Sequence, residues 1–429
     1  MSDSTKFTFK DETDQEQAID RKNLIADVPS TDGASSTIIY VQPDEKDDTT
    51  IPTVKVVKVR TEPATQRPQV ASGRETHIVI STGSGTGKAQ DFYNQGLKPV
   101  LEILFPASHD AFHIHTTESA TSVLDLTNKL FLPKADSGTQ LRIVILSGDG
   151  GIIDLVNGLL SKPASAQYAP PQVVLLPLGT ANALYHSINA GRDNTWGLSS
   201  LAGDSISQPL PIFTATFSPG ARLLVDEARK EEELSKDPET GAPILHGAVV
   251  ASWGFHASLV ADSDTAEYRK HGIERFKMAA NDLLYPADGA SPHHYKAKVS
   301  VLSGTTWTPL KEEEHMYVLA SMVSNLEKPF TISPASKPLD GSLHLVRFGP
   351  TDGANAMRLM GLAYQGGKHV EDPDVLYQAI DGLRIEFEGR EEDFKWRRIC
   401  IDGKIVRLEK KGWVEIRKEE RRVLDIAGR

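Results

Sequence analysis

The stretch Leu146-Ser147-Gly148-Asp149-Gly150-Gly151 constrains this chain more than any other. An apolar run, Leu141 to Leu146, stops there in three glycines and one carboxylate, and a helical pattern starts at once. A buried strand delivers such a loop to the edge of a sheet. Glycines let backbone N–H groups approach a phosphate without Cβ obstruction, and the next helix points its positive end at the same place. That helix is legible in Ile152, Leu155, Val156 and Leu159, spaced i, i+3, i+4 and i+7. Taken alone, the loop has a second reading, a tight turn carrying a surface Asp.

Two further glycine-containing loops occupy comparable junctions. His77-Ile78-Val79-Ile80 leads into Ser81-Thr82-Gly83-Ser84-Gly85-Thr86-Gly87-Lys88, and Val173-Val174-Leu175-Leu176 leads into Pro177-Leu178-Gly179-Thr180-Ala181-Asn182. In a parallel sheet these three strand ends share one edge, the usual ligand crevice of open α/β folds. The first loop is not a P-loop, since Thr82 stands where that pattern needs Gly and Ala89 where it needs Ser or Thr. A dinucleotide fingerprint fails as well: the glycines fall at 83, 85 and 87, off the required spacing, and Glu102 only loosely fills the acidic position.

From about His77 to about Arg407 the chain resembles the diacylglycerol-kinase-type lipid kinases, a family that includes sphingosine and ceramide kinases. Ser147-Gly148-Asp149-Gly150, Leu155-Val156-Asn157-Gly158 and Leu176-Pro177-Leu178-Gly179-Thr180-Ala181-Asn182-Ala183-Leu184 are similar to three of its motifs, in order and spacing. Trp253-Gly254-Phe255, followed by Tyr268-Arg269-Lys270-His271-Gly272-Ile273-Glu274-Arg275-Phe276, resembles a block of the sphingosine kinases. Asp340-Gly341-Ser342-Leu343-His344-Leu345 and Ile401-Asp402-Gly403 resemble two later elements. Departures from the pattern are Ser81-Thr82 for Asn-Pro, Asp154 for Glu, Ala181 for Gly, and Lys404 for the Glu of Asp-Gly-Glu. The last reverses a charge beside the implied nucleotide site and leaves an inactive kinase open.

Composition fits an enzyme of two to three domains: 429 residues with 39% hydrophobic content allow sizeable cores. A net charge of −11 argues against a general nucleic-acid binder. The one cysteine, Cys400 between Ile399 and Ile401, excludes an internal disulfide and reads as a buried strand residue. The sequence shows neither a run of 18 apolar residues, nor a signal h-region, nor a glycine after Met1. The expectation is a cytoplasmic chain without a transmembrane segment, peripherally associated with membranes.

The expected fold is an α/β domain with a parallel sheet, like that of NAD kinases and diacylglycerol kinases, followed by an antiparallel β-sandwich. The boundaries read as a disordered tail over 1–35, an accessory hairpin and linker over 36–74, a nucleotide-binding catalytic domain over 75–205 and a lipid-substrate domain over 206–429. In the hairpin, Thr37–Val41 and Val54–Val59 flank an acidic loop from Asp44 to Asp48, and Thr61 to Arg74 is the linker. Asp264 to Leu284 reads as one helix with Ile273, Phe276, Ala280 and Leu283 on one face and Ser263 or Asp264 as N-cap. Glu227 to Lys236 reads as a solvated loop, and His293-His294 as an exposed pair. No Cys/His metal spacing is seen, so a protein metal site is left unknown.

The resemblance implies transfer of the γ-phosphate of ATP, with Mg²⁺, to a lipid hydroxyl. Gly83, Ser84, Gly85, Thr86, Gly87, Lys88, Gly148, Gly150 and Gly151 would form the phosphate cradle. Thr117, Gly179, Thr180, Asn182, Asp402 and Gly403 would complete the nucleotide site, with Lys88, Arg269 and Arg275 as fixed cations. Asp149 is the expected carboxylate for the acceptor hydroxyl. Asp154 divides evenly between electrostatic support and an ordinary exposed helix Asp. Counting back from Tyr268 assigns the sphingoid ammonium to Asp262, whereas counting forward from Trp253 gives Ser258; Asp262 is favoured because the loop between tolerates insertions. The expected partner is a lipid substrate at a membrane surface, with a homodimer left open. A sphingoid base leads, ahead of diacylglycerol or ceramide; a soluble NAD-kinase-type enzyme and an inactive lipid-binding protein are the readings from other classes.

Overall fold

The computed structural model describes residues 5–11, 13–30, 34–44, 50–60, 73–106, 112–189, 191–202 and 207–428. Most of the acidic loop before Thr50 and the linker 61–72 lie outside the described residues.

The described part of residues 1–35 is not a structureless tail. Strands β1 (Lys6–Lys10) and β2 (Glu16–Asp20) pair antiparallel, and β3 (Leu24–Pro29), β4 (Ser35–Gln42) and β5 (Thr53–Arg60) form a three-stranded sheet. Only two aromatics, Phe7 and Phe9, carry the alternation of β1, too short a signal to stand out in so polar a segment. Phe9 is nonetheless buried with Ile38 and Val59. Ile25, Ala26, Ile39 and Val41 join the core around Phe92, Leu97 and Leu101, so this module covers one face of the α/β domain.

Strands β6 (Glu75–Ile80), β7 (Phe112–Thr116), β8 (Leu141–Ser147) and β9 (Gln172–Pro177) are parallel, in the order β9-β8-β6-β7. The side chains of β8 alternate between two cores: Ile143 and Ile145 face helix Asp149–Leu159, Val144 and Leu146 face Phe92 and Leu97. The crossover from β6 to β7 leaves on one side of β6 and the chain returns to β8 on the other. The switch point, where loops part and a ligand fits, therefore lies between the C-terminal ends of β6 and β8.

The sheet is completed from outside the 75–205 range. β10 (Ser207–Pro209) pairs with the C-terminal strand Asp425–Ala427, which runs parallel to β9. The rest is the expected antiparallel sandwich, a seven-stranded and an eight-stranded sheet around Trp253, Phe213, Phe217 and Phe387. Its core is continuous with one face of the α/β sheet. The single helix expected over Asp264 to Leu284 is two, Ala266–Arg269 and Glu274–Leu284, preceded by a first helix, Phe255–Ser263, outside that range. Thr265, not Ser263 or Asp264, caps the second, and Gly272 at φ 55° breaks the run before the third. Ala280 and Leu284 are buried while Ile273 is exposed.

Two loop expectations also change. Arg222–Val225 and Lys230–Glu233 form a hairpin whose second strand is exposed and whose Glu231 pairs with Arg407, so the Glu/Lys run is largely strand, and it buries Leu234 in the core. His293 is half-buried, stacked on Trp396 at 4.1 Å and bonded to Glu391 at 3.0 Å. Cys400 is buried and free, as its apolar neighbours imply.

Candidate active site

The three glycine loops meet at the switch point. Ser84 Oγ lies 3.1 Å from Ser147 Oγ and accepts from the Gly148 N–H at 3.4 Å, which ties the loop after β6 to the loop after β8. A Cβ on Gly148 would sit 2.8 Å from Gly179 Cα, one on Gly179 would sit 2.3 Å from Gly148 Cα, and one on Gly85, at φ 54°, would sit 2.5 Å from the Leu178 carbonyl oxygen. No side chain fits at these contacts, so the loops present packed backbone. Gly151 sits over Ser147 in the same way, whereas Gly83 and Gly150 face open space. Thr117, at the end of β7, accepts the Thr82 N–H at 3.1 Å and takes the Thr82 hydroxyl on its carbonyl at 2.9 Å, bracing the first loop. Gly87, at φ 75°, and Lys88 close that loop where the helix Ala89–Phe92 begins.

Asn182, at φ 54°, spends its side chain locally: Oδ1 accepts from the Gly179 N–H at 2.8 Å and Nδ2 donates to the Gly179 carbonyl at 3.0 Å. It holds the third loop in shape.

Asp149 opens helix Asp149–Leu159, and its two oxygens accept the N–H groups of Ala183 (2.7 Å) and Leu184 (3.0 Å), the first residues of helix Ala183–Asn189. Burial raises its carboxyl above the usual carboxylate range against the pull of these bonds. Asp402, at φ 48°, accepts from the backbone of Ala248, Val249 and Val250 at 2.5–3.1 Å. Burial pushes its carboxyl up to about 7, its three backbone bonds pull it down, and the nearby Asp149 charge raises it further. The turn Asp402-Gly403 thus caps the neighbouring sandwich turn with its side chain.

Helix Asp149–Leu159 is also the bracket between the domains. Asn157 donates to the His246 carbonyl at 2.9 Å and accepts the His246 N–H at 3.0 Å, pairing like one more strand residue. Gly158 lets Thr127 approach to 2.5 Å of where its Cβ would be. Asp154 is buried rather than exposed, and it pairs with Lys404 at 2.8 Å. The two charged departures in this chain therefore meet each other. Burial raises the Asp154 carboxyl, and Lys404 opposes that rise. Sequence reasoning missed Asn157, Ser147 and this pair as site-building residues, because each partner lies across a domain boundary or a loop.

The cations expected on phosphate sit beyond helix Phe255–Ser263. Arg269 holds Asp264 with two bonds, at 3.0 and 2.9 Å, and Arg275 reaches the same carboxylate at 3.1 Å. Arg269 is exposed; Arg275 is mostly buried, stacks on Phe276 at 4.8 Å and has a buried Nε with no hydrogen-bond partner. Burial lowers the Arg275 pKa, with Asp264 opposing and Arg269 adding to the fall. Asp262 is held by Arg398 at 2.8 Å and by Lys395 at 3.5 Å. Ser258, the other candidate, is buried and accepts the Tyr295 hydroxyl at 2.9 Å.

Residues 75–213, from β6 past β10, match the family described as the diacylglycerol kinase catalytic domain. The match places a diacylglycerol kinase catalytic domain within a longer chain. Members of that family are lipid kinases, phosphotransferases to an alcohol acceptor that use ATP. Over a longer span the chain is similar to human sphingosine kinase 1, 23% identical with 72% of this chain and 81% of the relative covered. It is similar to the mouse sphingosine kinase 1 at 24%, with 77% and 85% covered. A solved structure described as a diacylglycerol kinase from Bacillus anthracis str. Sterne superposes with a TM-score of 0.55 at 16% identity, covering 84% of this chain and 98% of that one, which shows the shared fold.

Proposed function

We propose that this chain phosphorylates the hydroxyl of a sphingoid base with ATP. The observation that carries the reading is the side-chain-free junction of Gly85, Gly148 and Gly179 at the switch point, joined to a sandwich whose similarity to sphingosine kinases runs over most of the chain. Backbone N–H groups of Gly83 to Lys88 and of Gly148 to Gly151 would receive the phosphates at the start of helix Asp149–Leu159. Thr117, Thr180 and Gly403 would line the nucleotide, and Arg269 and Arg275 would turn from Asp264 towards the transferring phosphate. Asp149, partly exposed and with its carboxyl raised, would take or orient the acceptor proton.

For Mg²⁺ the fit is narrow. Asp154 already carries an ammonium and Asp402 points into the backbone, which leaves Asp149, with lone pairs beyond its two N–H bonds, to hold a metal-bound water. Mg²⁺ held chiefly by the phosphates would offset their charge.

The sphingoid ammonium would take the place of exposed Lys395 on Asp262, with Arg398 keeping that carboxylate in position. Ile273, Met278, Met357 and Tyr364, exposed on and beside helices Glu274–Leu284 and Gly353–Ala363, would meet the membrane from which the lipid comes. Among the described residues no helix is long and apolar enough to cross a membrane.

Incubation with labelled ATP, Mg²⁺ and a panel of sphingoid bases, diacylglycerol, ceramide and NAD tests the proposal. Label in the sphingoid base supports it; label only in diacylglycerol limits the similarity to the general scaffold. The Lys404–Asp154 pair favours one second reading, a chain that binds lipid without phosphorylating it, for which no product would be labelled while lipid still bound.

A further inference from the structure

At the other end of the same sheet, three imidazoles and a carboxylate share one patch that the kinase reading does not use. β6 carries Glu75-x-His77 and β7 carries His113-x-His115, and the parallel register sets His77 opposite His113. The two-residue period of a strand puts all four on one face. His77 is buried between the rings of His113 (centroids 4.8 Å apart) and His115 (5.2 Å), with the edge of Phe131 closing the patch at 5.1 Å.

We infer that Glu75, His77 and His113 form a binding site for a transition-metal dication of the zinc class. Their ligand atoms lie within 4.8 Å of one another. Glu75 Oε1 is 2.9 Å from His77 Nε2 and 3.6 Å from His113 Nε2, on either side of the spacing of about 3.3 Å between neighbouring ligands of tetrahedral zinc. Two nitrogens and one oxygen are a borderline-soft donor set that suits zinc, cobalt or nickel over magnesium or calcium. His77 Nδ1 sits 3.0 Å from His115 Nε2, the outer hydrogen bond that orients a metal-ligating imidazole.

Lys134 now holds Glu75, at 2.9 Å, on a stem about a third exposed, so a dication would displace it into solvent. A Glu–Lys pair alone accounts for Lys134; it does not account for two Nε2 atoms converging on one carboxylate oxygen. Five residue steps of extended chain lead from His77 to Thr82, about 16 Å, so this is not the phosphate-bound metal of catalysis. The ion would pin edge strand β7, and Thr117, the residue just past its end, braces the first phosphate loop.

The test is titration of the full chain with Co²⁺, followed by visible absorption, and with Zn²⁺ in competition with a chromophoric chelator. The inference expects one equivalent bound with a tetrahedral Co²⁺ spectrum, weakened at least roughly tenfold in His113→Ala and in Glu75→Gln and unchanged in His294→Ala. Lys134→Met should tighten binding, a result that a purely structural ion pair would not give. His113 is exposed, so His113→Ala should melt as the wild type does without metal. Absence of stoichiometric uptake, or uptake that His113→Ala leaves intact, would overturn it.

Discussion

The phosphate cradle and the helical segment Phe255–Leu284 solve opposite problems. The cradle is built from backbone, with Gly85, Gly148 and Gly179 packed where no side chain fits. The helical segment is built from charge: Asp262 with Arg398 and Lys395, Asp264 with Arg269 and Arg275. A glycine contact has one geometry and is lost when a Cβ is added. A charged side chain can change partners within one fold, so its pairing in the resting protein leaves its role towards ligand to be decided by what arrives.

That contrast is broken most severely at Gly179. Gly179→Ala forces a Cβ against Gly148 Cα and Asn182 Oδ1, and should remove measurable ATP binding by calorimetry while lowering stability by about 1–3 kcal/mol. Wild-type ATP affinity in this variant would show that the junction is structural only. Asp149→Asn keeps one oxygen for the N–H groups of helix Ala183–Asn189, so it should fold and bind ATP but turn over on the order of 10²-fold more slowly or worse. Near-normal turnover would remove Asp149 from the chemistry.

On the charged side, Asp262→Asn should abolish sphingoid-base phosphorylation and spare ATP binding, with the melting temperature followed because Arg398 loses its anion. Equal loss on diacylglycerol would place Asp262 in scaffold maintenance. Arg275→Ala should weaken ATP by roughly 1–3 kcal/mol, more than Arg269→Ala, since Arg275 is the buried one with a spare donor. Identical affinities in both variants and wild type would return both to the Asp264 ion pair.

The smallest expected effect is on acid stability. His315 accepts a guanidinium N–H from Arg347 and must be neutral; burial lowers it, and His246 likewise, to about 4. A histidine depressed in the folded state gives stability that is present above its unfolded pKa near 6.5 and is lost as pH falls towards 4. Denaturant titrations should show a gradual decline over that window. A flat profile from pH 7 to pH 4 would contradict their burial as neutral groups.

The sequence determined what backbone chemistry needs locally: the glycine loops after apolar runs, helix Asp149–Leu159 and the short strands of the sandwich were all legible, because period and turn residues act over a few positions. Phe7 and Phe9 were not, since so short an alternation gains meaning only when Ile38 and Val59 arrive to cover it. Three decisions belonged to the tertiary structure alone. It placed the C-terminal strand Asp425–Ala427 in the first domain's sheet, it paired Asp154 with Lys404 so that two separate departures became one ion pair, and it gathered Glu75, His77, His113 and His115 into one patch. Each depends on which residues, distant in sequence, come within a few ångströms, and Coulomb and coordination energies fall off over that distance. Residue type fixes what a group can bind; only the fold fixes what it meets.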